Sequence, residues 1–254
     1  MTDKKPFPKR LLIGLGVAAF WIVLWELAAL AVGKEILLPA PLTVLRRLGA
    51  LAITADFWKT VGVSLLGILI GITAGTLGGI LLAVLCFRFR AAETLLSPLL
   101  TVVRATPVAS FIVLCYLWFS KGTIPGFISV LMVLPVIAGS MGAGLRAVDP
   151  ALREVTKVYG MGAGRKLRCL WIPSLMPGFR AALVTVCGLG WKAGVAAEAL
   201  VQAKNTIGDA LIDARHTYET ADVFAWTAVV IALSMLLETL LRRFLGKGGK
   251  SRAE

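Results

Sequence analysis

The chain has 254 residues, 58% of them hydrophobic, and a formal charge of +13. A soluble domain averages about 45–50% apolar residues, so this composition excludes an ordinary water-soluble fold. The charge does not mark a nucleic-acid binder either, because Lys and Arg gather at the ends of apolar runs, where they orient membrane segments.

The N-terminal "MTDKKPFPKR" precedes a run, Leu11 to Trp25, without a single charge, which continues beyond Glu26 to Val32. This run is too long for a signal-peptide core and reads as an uncleaved anchor. A spanning helix needs about 20 mostly apolar residues. On that measure the candidate spans are 11–32, 61–87, 95–119, 124–145, 178–201 and 223–241. Residues 34–60, opening on Pro39-Ala40-Pro41 and then apolar at helical spacing, predict an interfacial helix on the outer side. In the second span Gly67, Gly71 and Gly75 recur every four residues, a groove that lets another helix approach closely. Arg104 and Pro107 interrupt the third span and leave "VASFIVLCYLWF" as a short apolar piece, so a kink or a partly re-entrant start is expected there. The fold class is therefore all-α: a polytopic membrane protein of six helices forming one domain over 1–254, with a core region at about 55–245.

Placing the N-terminus in the cytoplasm puts nineteen Lys and Arg residues on the inner side and seven on the outer. That asymmetry favours six spans with both termini inside, and it puts residues 146–177, between spans four and five, in the cytoplasm.

Several motifs fail in context. "GLGVAA" at Gly14 matches a dinucleotide fingerprint but lies inside a span with no preceding strand, and "GMGAGRK" at Gly160 has no phosphate-loop spacing. His216 stands alone in a polar loop. Cys86, Cys115, Cys169 and Cys187 show no disulfide or metal spacing. No catalytic constellation, cofactor motif or metal cluster is visible, so enzyme chemistry has no residues to run on.

The cytoplasmic segment reads "EVTKVYGMGAGRKLRCLWIPSLMPG" from Glu154. Upstream and within it, Leu152, Val155, Val158 and Tyr159 share one helical face. Gly160, Gly162 and Gly164 then break the helix, and "RKLRCLW" predicts a second short helix ended by Pro173 and Pro177. Two short amphipathic helices on a glycine hinge suit another protein's groove, and a solvated basic loop near anionic lipid is the plainer alternative.

Here the chain resembles the permease subunits of bacterial binding-protein-dependent ABC importers, which carry E-A-A, three residues, G, nine residues, I-x-L-P in this loop. Glu154, Gly160, Leu170, Ile172 and Pro173 fall at the matching positions, with Val155 and Thr156 in place of Ala-Ala. "WELAAL", "TPVASFIVLCYLWFSKG", "GLGWKAGVAAEAL" and the late "RRF" resemble the nitrate, sulfonate and taurine branch. The resemblance implies a bacterial plasma-membrane importer with two permease copies, most simply a homodimer. Two cytoplasmic ATPases and an extracytoplasmic solute-binding protein would complete it, with no cofactor on this chain. It makes Glu154, Val158, Tyr159, Gly160, Gly164, Leu170 and Pro173 the positions that couple to the ATPase, with Gly164 at the bend. The implied solute is a small anion, with a vitamin precursor as another possibility.

The notable embedded charges are Lys192, deep in span five, Glu26 in span one and Glu198 near the end of span five. Such groups are costly in a bilayer and mark either structural pairs or a solute path. Lys192 and Glu198, six residues apart, point to different faces of one helix, so a partner for Lys192 belongs on another span. As a counter-charge in the path it would suit an anion. A stand-alone secondary carrier is disfavoured by the lack of an inverted repeat. A membrane enzyme lacks catalytic residues, and a non-transporting scaffold is the third competitor.

Overall fold

Apolar length sets the elements. The computed structural model describes residues 7–247, with side chains over 13–245. The basic residues Lys4, Lys5, Lys9, Arg10, Lys247, Lys250 and Arg252, part of the charge asymmetry above, therefore lie outside the described side chains. Among the described residues eleven α-helices follow one another: α1 (Phe7–Val32), α2 (Pro41–Ala52), α3 (Ala55–Arg88), α4 (Arg90–Ala105), α5 (Val108–Cys115), α6 (Ile124–Arg146), α7 (Pro150–Val158), α8 (Ala163–Lys166), α9 (Ile172–Val201), α10 (Ile207–His216) and α11 (Thr220–Lys247). A π-helical turn, Leu167–Trp171, joins α8 to α9. The described residues contain no strand.

Among the described residues five helices are long and apolar enough to cross a membrane, and the pair α4–α5 makes a sixth span if taken together. That pair is bent by 103°, so the third span is broken, not merely kinked. Pro107 is the physical cause. It has no N–H to continue the ladder of α4, and it disfavours helical geometry at Thr106, which sits at ψ 131°.

Contacts divide the chain into two units. The first comprises the residues up to Lys59 with Ala210–Val229. Within it Trp25 donates from Nε1 to the Pro39 carbonyl at 3.1 Å, and Phe57 stacks on Trp226 with ring centres 5.0 Å apart. Arg47 on α2 binds both Glu219, at 2.9 Å, and the buried carboxylate of Asp222. Hydrogen bonding to Asp222 raises the pKa of the Arg47 guanidinium above its ordinary value.

The second unit, Thr60–Asp209 and the residues from Val230 on, holds the main core. Here α3, α6 and α9 approach through small residues. A side chain at Gly71 would strike the Gly126 carbonyl, and a Cβ at Gly79 would lie 2.8 Å from the Leu134 carbonyl. Gly75 faces Val130 and Val133 in the same row, whereas a Cβ at Gly67 would meet nothing within 4 Å. The groove is therefore Gly71, Gly75 and Gly79, one turn beyond the expected register, because α6 begins only opposite Gly67. From α9, Gly190 faces Ile72 and Gly194 faces Ile68, and Ser129 donates to the Gly190 carbonyl at 3.0 Å. In membranes such close approach replaces the hydrophobic effect as the source of helix association.

Candidate functional site

The 147–171 excursion is built locally by capping. Asp149 accepts from the Ala151 amide at 2.8 Å, and Pro150 occupies the first turn, where its missing N–H costs nothing. The helix stops at Val158, and Gly160 takes φ +58°, a conformation that favours glycine. The turn is thus made at Gly160. Gly164 lies inside α8 and is not the bend. Nor do Pro173 and Pro177 end a second short helix, because helical structure runs from Ala163 to Val201. The π-helical turn shifts the bonding pattern just ahead of Pro173, and the Ser174 hydroxyl takes the Leu170 carbonyl at 2.7 Å.

The faces of α7 are inverted relative to a core helix. Thr156 is buried, whereas Leu152, Val155, Val158 and Tyr159 are 49%, 45%, 84% and 76% exposed. Glu154, Gly160 and Gly164 are exposed as well; Leu170 is buried and Pro173 exposed. So the apolar stripe of α7 points away from its own protein.

What holds that stripe out is Arg153, a basic residue of α7 itself. Its guanidinium lies over both the Phe87 ring, at 5.5 Å, and the Trp171 ring, at 5.2 Å, and Nη2 donates to the Leu145 carbonyl at 2.8 Å. Phe87 and Trp171 also meet edge to face at 5.5 Å. One side chain therefore ties α7 to the ends of α3 and α6 and to the π-helical turn. The Leu145 carbonyl is one of the last four of α6, which lack intrahelical partners. Only the aromatic residues at 87 and 171, distant in sequence, could have signalled this clamp.

The embedded charges are not gathered into one site. Lys192 is exposed on α9, in line with Thr185, Leu189, Ala196 and Leu200, and has no ion pair or hydrogen bond among the described residues. Glu198 faces the other way and is 2% exposed. It accepts from Ser64 Oγ at 2.9 Å and from the Gly208 amide at 3.1 Å, while Ser64 Oγ accepts from the Ile207 amide at 2.8 Å. The carboxylate thus satisfies the start of α10 and joins it to α3 and α9. Glu26, on α1 in the other unit, is half-buried. Among the described residues no group of three His, Cys, Asp or Glu could hold a metal ion.

Long apolar helices, glycine-tight packing and a projecting amphipathic excursion define a multi-pass helical membrane protein. The family can be stated: residues 67–247 match the "Binding-protein-dependent transport system inner membrane component" family, and the chain belongs to it. It is 26% identical over 244 residues to the taurine transport system permease protein TauC of Escherichia coli (strain K12), covering 93% of this chain and 88% of that one. To the putative aliphatic sulfonates transport permease protein SsuC of Bacillus subtilis (strain 168) it is 25% identical over 244 residues, covering 94% and 88%. A crystal structure of an amino acid ABC transporter with histidines, 18% identical, shares the fold at a TM-score of 0.57 over 78% of this chain and 95% of that one. The protein is an inner-membrane permease subunit of an ABC importer. ATP hydrolysis in such systems belongs to a separate subunit, so this chain is not an enzyme.

Proposed function

We propose that this permease imports a small sulfonate or related oxyanion, and that α7 receives the work of ATP hydrolysis from a cytoplasmic ATPase docked on its apolar stripe. The single observation that carries the coupling half is the outward face of α7: Val155, Val158 and Tyr159 exposed beside Glu154, with Arg153 fixing the helix to α3 and α6. An apolar helical face with a charged surround is the kind that lies in a partner's groove. Gly160 gives the turn, and Gly164, Leu170 and Pro173 carry it into α9. Rocking of α7 then reaches α6 and α9 through the Arg153 clamp.

The solute half rests on the names of the taurine and aliphatic sulfonates relatives and on Lys192, an unpaired cation on the exposed face of α9. Glu198 serves as a positioning residue for α10 in this account, and Glu26 is left as a path residue only by its depth in α1. Two permease copies, two ATPases and one extracytoplasmic binding protein complete the assembly, with both termini of the permease in the cytoplasm. Reconstitution of those partners in vesicles tests the reading. ATP-dependent accumulation of ethanesulfonate or taurine, absent for choline, is expected; hydrolysis that ignores the permease, or uptake of choline but no sulfonate, contradicts it.

A further inference from the structure

The helix that carries the broken third span has a polar stripe with no role in the account so far. Glu93, Ser97, Thr101 and Arg104 follow one another at intervals of three or four along α4 and so share a face. None of the residues of α4 is buried within the second unit. In a bilayer such a stripe is tolerated only where protein or water covers it.

Behind the stripe lies a cavity of about 170 Å³ between α3, α4 and α6. Its charged and hydroxyl lining is Glu93, Ser97, Thr101, Arg104 and Arg146. Arg146 pairs with Glu93 at 2.9 Å, which leaves Arg104 as the uncompensated charge. Arg104 has only one protein partner among the described residues, the Pro135 carbonyl, which Nη2 reaches. A guanidinium has five N–H donors, so most of its capacity remains open. Missing side chains on α6 make the room: a Cβ at Gly139 would strike Arg104 Nη2, and one at Gly142 would lie 3.3 Å from Arg146 Nη2.

The plain role for Arg104 is to clamp the α6 backbone at Pro135. That role uses one donor and needs neither a cavity, nor a second guanidinium, nor a hydroxyl on the preceding turns of α4. We infer that this cavity is an anion-binding station of the solute path, in which Arg104, with the Ser97 hydroxyl on the same stripe, binds the sulfonate or oxyanion head of the solute from water; the Thr101 hydroxyl already donates to the Ser97 carbonyl at 2.9 Å. The inference deepens the import reading and rests on it for the identity of the solute. The station sits at the end of α6 from which α7 departs, since Arg146 is the last residue of α6 and Asp149 caps α7. Movement of α7 would therefore reach the Arg146–Glu93 pair directly.

A native thiol allows the test. Cys86 lines the same cavity, Cys115 and Cys187 are buried, and Cys169 is exposed elsewhere. In the full permease bound to its ATPase in lipid discs, Cys169→Ser leaves Cys86 as the reporter. An anionic thiosulfonate reagent should modify Cys86 on the order of a hundredfold faster than a cationic one, because one unit charge at about 10 Å in an effective dielectric of about 20 speeds the anion and slows the cation by roughly tenfold each. Arg104→Gln should bring the two rates together, and Arg104→Lys should retain the preference. Millimolar ethanesulfonate should slow the labelling severalfold in discs of phosphatidylcholine alone.

A folded protein whose Cys86 is never modified, equal rates for the two reagents, or a preference that survives Arg104→Gln would overturn the station. So would protection that appears only with phosphatidylglycerol, which would make the cavity a lipid headgroup site. Should Arg104→Gln fail to fold, the ethanesulfonate protection of the otherwise native chain still decides. Sulfonate uptake without protection removes the station and leaves the import reading standing; protection without uptake does the reverse.

Discussion

The α6–α9 pair and the α7 excursion treat apolar side chains in opposite ways. Along α6 and α9 they vanish into close packing: Ile128, Val133, Ile137, Val186 and Trp191 have no exposed surface, and Trp191 Nε1 finds the Val230 carbonyl at 3.1 Å. On α7 the apolar side chains stay outside while a cation is drawn inward over two rings. The first arrangement is complete in one chain. The second leaves a face unfilled, and on the reading proposed above that face is where the ATPase docks.

Substitutions at five positions test the contrast, beginning on the packed side. Gly71→Ala drives a Cβ onto the Gly126 carbonyl, where neither helix backbone can yield. Overpacking costs about 1–3 kcal/mol and sometimes more, so size-exclusion chromatography and thermal melts in detergent should show a large loss of folded permease. Gly67→Ala, whose Cβ meets nothing, should melt like the parent.

Arg153→Ala removes two cation–π contacts, worth about 0.5–1 kcal/mol each, and a charged hydrogen bond worth about 1.5–3 kcal/mol. The permease should persist in the membrane, because the α3–α6–α9 core does not depend on this clamp. Amide exchange in residues 147–171 should rise, and uptake should fall at least about tenfold, in line with an energy of that size. Unchanged exchange would show that the clamp does not hold α7.

Glu198→Ala orphans the Gly208 amide and Ser64 hydroxyl in a buried site, a loss of about 1–3 kcal/mol that thermal melts should register. Glu198→Gln keeps an acceptor oxygen and should lose less. Equal melts for the two would remove the carboxylate from its role at the start of α10. Gly160→Ala adds about 1–2 kcal/mol of left-handed strain in an exposed turn. Its melt should fall no further than that of Glu198→Ala, and its main effect should appear in ATPase copurification.

Much of this contrast is legible in the sequence, for local reasons. Apolar length gives the spans, Pro107 gives the break in the third, and the Glu154–Gly160–Pro173 spacing picks out the excursion. The rest depends on partners far along the chain. The register of the glycine groove shifts from Gly67 to Gly79 because it depends on where α6 begins, which no residue of α3 records. Arg153 reads as one more basic surface residue until Phe87 and Trp171 close on it. Glu198 is recognisable as an embedded charge, but its partners are Ser64 and the start of α10. Those contacts turn a candidate path residue into a structural one.

The most direct test of the central claim is ATPase copurification with a permease carrying Val158→Asp and Tyr159→Asp. Both positions are more than three-quarters exposed and touch no part of the core, so elution and melting should match the parent. On this account the ATPase no longer comes down with the doubly substituted permease and sulfonate uptake stops. Full recovery of the ATPase with undiminished uptake would contradict it.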